Sequence, residues 1–99
     1  MSEWLKNKVL KSELHRGFLE YLFSMGDNQS RWEAVWERTQ PGVAESLGCA
    51  RSRVSLIANE SISAGFVEPR FRHIIGELSD GRKRIAYFIT PAGRTALKP

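Results

Sequence analysis

Two groups of residues could do chemistry. Arg51, Ser52, Arg53, Ser55 and Asn59 fall within nine positions, and Arg82-Lys83-Arg84 form an unbroken basic run. A guanidinium presents a planar fork of donors that matches paired acceptors, whereas a lysine ammonium is a compact point charge. Hydroxyls and carboxamides add short, directional contacts. Such groups hold anions and read acceptor edges. They do not by themselves make or break bonds.

Bond-breaking chemistry has little support elsewhere. The sequence shows no nucleophile–base pair, no paired acidic motif and no glycine-rich phosphate loop, so an enzyme is not expected. His15 and His73 lie far apart and do not stand at metal-ligand spacing with Cys49 or with a carboxylate pair. They read as ordinary surface or half-buried histidines, and no cofactor or metal is expected. A single cysteine excludes an internal disulfide. Its predicted place at a helix start would lower a thiol pKa, but a small turn residue is the simpler reading.

The 99 residues suit one domain, spanning 1–99, with 41% hydrophobic and 26% charged residues, as in soluble globular chains. The net charge of +4 is unevenly spread. Residues 1–48 carry six basic and seven acidic groups, and residues 49–99 carry nine basic and four acidic groups. The second half is therefore the half suited to a polyanion. No apolar run approaches the roughly 18 residues of a membrane span, and the first 11 residues lack the pattern of a signal peptide. No membrane partner and a cytoplasmic location are expected.

The elements that must position these groups are legible from periodicity. Trp4, Leu5, Val9, Leu10, Leu14, Phe18, Leu19 and Leu22 recur at helical spacing. They make one long helix or two short ones divided at Ser12, with residues 1–11 as an N-terminal extension. Gly26-Asp27-Asn28 closes this region. Ser30-Arg31-Trp32-Glu33 reads as a capping box, predicting a short second helix to Arg38 with Trp32 and Trp36 as core anchors. Thr39 and Pro41 open a third helix with Val43, Ala44 and Leu47 inward, and Gly48 stops it. A fourth helix runs over about residues 50–64. It has Val54, Ile57 and Ala58 on one face and Ser52, Leu56, Asn59 and Ser63 on the other, with Ser55 beside them. Residues 67–75 and 84–90 alternate as two strands, with Val67, Pro69, Phe71, His73 and Ile75 on one side of the first. Asp80-Gly81 is a hairpin-turn dipeptide. Thr90-Pro91 starts a last helix. The fold class expected is mainly α with a small antiparallel β-hairpin.

The order of these elements is that of a winged helix-turn-helix. The run from Gln40 to Ser55, with Ala44-Glu45-Ser46-Leu47-Gly48 and Arg51-Ser52-Arg53-Val54-Ser55, resembles MarR-like winged-helix transcriptional regulators. So do Ala64-Gly65-Phe66-Val67, the basic tip from Asp80 to Arg84, and Ile89-Thr90-Pro91-Ala92-Gly93-Arg94. The resemblance covers roughly residues 12–97, with residues 39–64 as the helix-turn-helix and residues 66–90 as the wing. It departs from the pattern at Ala50, where Ser usually caps the recognition helix. It also departs at Leu56, which stands on the reading face, and at Ser61, where a core leucine is usual. With Ala58 also small, Trp32 or Trp36 is expected to fill the space there.

The resemblance implies sequence-specific binding of double-stranded DNA, in transcriptional regulation. Arg51, Ser52, Arg53, Ser55, Leu56 and Asn59 would meet the major groove, and Arg82, Lys83 and Arg84 the backbone or minor groove. It also implies a homodimer. The alternatives are a winged-helix protein-interaction module and the N-terminal domain of a larger regulator.

Overall fold

The computed structural model describes residues 3–26 and 32–98. These form an α+β fold of five helices and a three-stranded mixed sheet: α1 (Glu3–Lys11), α2 (Glu13–Ser24), β1 (Glu33–Val35), a 3-10 turn (Trp36–Arg38), α3 (Gln40–Leu47), α4 (Arg51–Ser63), β2 (Val67–Ile75), β3 (Lys83–Ile89) and α5 (Pro91–Leu97).

The N-terminal periodicity resolves into two helices. Ser12 takes an extended backbone and its hydroxyl accepts from the His15 N–H, so it caps α2. Val9 of α1 and Phe18, Leu19 and Leu22 of α2 are buried. They pack on Val54, Ile57 and Ala58 of α4 and on Val67, Tyr87 and Ile89 of the sheet. Phe18 meets the Tyr87 ring edge-on at 5.7 Å, a geometry favoured by the ring quadrupoles. This is the main core. Ala58 belongs to it and Ser61 is buried, and neither expected tryptophan packs there: Trp36 lies against a smaller core and Trp32 is exposed.

The expected second helix is absent. Glu33–Val35 is instead a strand, parallel to the far end of β2 in the register Glu33↔His73, Ala34↔Ile74, Val35↔Ile75. The carbonyl of Trp32 accepts from the His73 N–H at 2.8 Å. A capping box is a local signal, and here an open sheet edge outweighs it. Its first residue, Ser30, lies outside the described residues. Trp32 is 73% exposed, so it is no core anchor, whereas Trp36 is partly buried.

From β1 the chain crosses the sheet as a strap. It leaves the outer edge of β2, turns through Trp36–Arg38, and reaches the outer edge of β3, where Thr39 bridges Ala86. Beneath it lies a second small core of Ala34, Ile74, Ala86 and Phe88. Both faces of the sheet are therefore covered at its base, which explains four consecutive buried residues in β3. The sheet is mixed rather than purely antiparallel because β1 joins it. Along β2, Val67 and Ile74 are buried, whereas Phe71 and Ile75 are exposed, because the hairpin projects beyond the main core.

Thr39 caps α3 by accepting from the Gly42 N–H. Gly48 ends α3 at φ +66°, a conformation that disfavours side chains with a Cβ. Gly42 serves a different need. A Cβ there would lie 2.2 Å from the Trp36 carbonyl, so only glycine lets the strap approach α3. No helix of the described residues is long and apolar enough to cross a membrane.

Candidate nucleic-acid interface

The apolar face of α4 is buried, so its other face is presented outward. Ser52, Leu56, Asn59 and Ser63 are exposed and Ser55 is half-buried. Arg51 and Arg53 project from the first turn, both exposed. Ala50 takes the N-cap backbone without a side-chain hydrogen bond. The Gln40 carboxamide donates to the Arg51 carbonyl at 3.0 Å, joining the starts of α3 and α4.

The hairpin brings Lys83 and Arg84 to the same side. A groove of about 530 Å³ lies between α4, the start of α3 and β3. Ser55 and Asn59 contribute from α4, Gln40 from α3, and Lys83, Arg84 and Ile85 from β3. Among the described residues no carboxylate lines it. Arg82 stands apart at the loop, with its side chain 79% exposed. Arg51 also stands outside this groove. It lines a neighbouring cleft of about 260 Å³ together with Trp36, Asp80 and Arg84.

The tip is longer than a two-residue turn. His73 pairs with Lys83 and the Ile74 N–H donates to the Arg82 carbonyl at 3.0 Å. Asp80 organises the return of the loop. Its Oδ1 accepts from the Arg82 backbone N–H at 3.0 Å, and its Oδ2 accepts from Arg84 at 2.6 Å. The Arg84 hydrogen bond, then that of the Arg82 N–H, holds the carboxyl below the usual carboxylate range. The tip is thus less positive than its three cations suggest.

Arg70 and Arg72 of β2 were not among the expected site residues. Arg72 is directly opposite Arg84, so both lie on one face of the hairpin. Arg70 pairs with Glu68. The two-residue spacing of Arg70 and Arg72 was a visible signal, because alternate strand residues share a face. Gln40 had no such signal; only the packing of α3 against α4 brings it to the groove.

The two histidines differ. His73 is exposed, whereas His15 is buried and links Ser12 Oγ at 2.7 Å to Glu60 Oε1 at 2.9 Å. Lys8 completes the pairing on Glu60. Among the described residues no three His, Cys, Asp or Glu side chains are grouped to hold a metal. No family model, curated protein or solved structure matches the chain.

Proposed function

We propose that this chain is a winged-helix domain that binds double-stranded DNA, with α4 in the major groove and the hairpin on the adjacent backbone or minor groove. The carrying observation is the carboxylate-free groove in which Ser55 and Asn59 of α4 face Lys83 and Arg84 of β3. A phosphate backbone is attracted by such a cationic, acceptor-seeking surface. Arg51 and Arg53 at the start of the exposed helix match guanine edges or phosphates in forked geometry. Transcriptional regulation in the cytoplasm, as a homodimer reading paired half-sites, is the biological role that fits this reading and the MarR-like sequence pattern.

The test is an anisotropy titration with a labelled duplex at several salt concentrations. Affinity should fall steeply and log-linearly with salt. Salt-independent binding, or none at low salt, overturns the proposal. Selection from random duplexes then identifies the preferred sequence.

A protein-interaction module is the second reading. It is favoured by the apolar residues left in the open near the groove: Leu56 at 54% exposure, with Phe71 and Ile85 paired across the hairpin. Exposed apolar clusters mark contact surfaces of either kind.

A further inference from the structure

The smaller cleft lies between the first turn of α4 and the hairpin loop, and it carries cations on both sides. Arg51 lines it from α4 and Arg84 from β3, with Trp36 and Pro41 between them and Leu78 from the loop. Arg84 and Pro41 also line the larger groove, so the two depressions adjoin. Among the described residues Arg51 enters no ion pair. Asp80 supplies the carboxylate that lines the cleft, and that carboxylate is already spent on Arg84 at 2.6 Å. Arg72 stands opposite Arg84 across the hairpin, on the same face. An anion in the cleft makes a charge-assisted bond to each arginine that lines it.

We infer that this cleft takes a phosphodiester of the DNA backbone, held between Arg51 and Arg84, and that Asp80 is the internal anion which that phosphate displaces from Arg84. The inference rests on the DNA-binding reading and deepens it. Asp80 has two separable jobs. Its Oδ1 shapes the loop by accepting from the Arg82 N–H, and its charge occupies Arg84 at 2.6 Å, with the Arg82 Nε farther off at 3.9 Å. The first job needs only an acceptor oxygen, which asparagine retains. The second needs the charge, and it opposes binding, because a carboxylate at a phosphate position repels the phosphate and holds its partner.

The Asp80→Asn variant separates these jobs. Titrating a labelled duplex between about 50 and 200 mM salt, Asp80→Asn should bind about three- to tenfold more tightly than the wild type. Its log–log salt slope should steepen by about one, as one more phosphate contact requires. The gain should be lost when Asp80→Asn is placed in an Arg84→Ala background. Thermal melting of each variant checks that the hairpin is intact. If Asp80→Asn binds like the wild type, with an unchanged slope and melting temperature, Asp80 only forms the turn and this inference falls while the DNA reading stands. If the gain survives undiminished without Arg84, Asp80 acts through Arg82 or repels DNA at long range, and the cleft assignment falls. If the wild type binds no duplex even at low salt, both fall together.

Discussion

The Arg38 guanidinium lies over the Phe88 ring, with Cζ 4.4 Å from the ring centroid. Its Nη1 donates to the Tyr87 carbonyl at 3.2 Å and its Nη2 to the Gly26 carbonyl at 3.1 Å. The side chain is almost wholly buried, and burial draws its pKa down from the guanidinium's usual value. One residue thereby fastens the strap to the sheet and to the end of α2. Burial of a charge is tolerated here because two carbonyls and an aromatic face replace its water.

Arg38→Met should destabilise the fold by about 2–4 kcal/mol, the scale of losing charge-assisted hydrogen bonds from a buried guanidinium. Arg38→Lys should recover little, since an ammonium cannot lie flat on the ring and serve both carbonyls. Urea unfolding of the three proteins checks this. Equal midpoints for wild type and Arg38→Met would show that the strap is held by Trp36 and Thr39 alone.

Ser61 is fully buried in the main core, and among the described residues its hydroxyl has no hydrogen-bond partner. Ser61→Ala should therefore stabilise the domain by about 1 kcal/mol, by removing an unpaired polar group and improving helix propensity. A fall in stability on this substitution would mean that the hydroxyl does find an acceptor in solution.

Glu60 joins α4 to the N-terminal helices through Lys8 and His15. The hydrogen bond from Lys8, then that of His15, lowers its pKa below the ordinary value. A depressed carboxylate contributes stability that is complete above the unfolded-state pKa of about 4.3 and is lost as pH falls through the folded value. The stability margin of wild type over Glu60→Gln should therefore shrink as pH falls below about 4. Melting curves against pH for the two proteins measure it; a margin that does not shrink there contradicts the assignment.

For DNA binding, two arginines should behave differently. Arg53→Ala, on the exposed face of α4, should cost about 1–3 kcal/mol on a preferred duplex and relax sequence preference. Arg82→Ala, at the exposed tip, should weaken binding to all duplexes alike and reduce the salt slope by about one. Paired titrations on a selected and a scrambled duplex distinguish the two. Identical behaviour of both variants would remove the division of labour between helix and hairpin.

Local chemistry made much of this protein legible in its amino-acid order. Ser12, Thr39 and Thr90 cap the helices that follow them, Gly48 takes the left-handed turn after α3, and α4 buries Val54, Ile57 and Ala58. These features depend on contacts within a few residues or on one helical period. The basic residues of α4 and the hairpin were equally visible, because charge is read without knowing the fold. Tertiary structure decided what depends on distant partners. The segment from Trp32 to Arg38 carries helix signals, but the free edge of β2 draws it into a strand and Phe88 draws Arg38 across the sheet. The outward turn of Phe71 depends on where the main core ends. Above all, Arg84 lines both clefts only because packing sets the hairpin beside α3 and α4, while its bond to Asp80 is made within the loop. Sequence order shows which cations are present, and packing decides which anion each one meets.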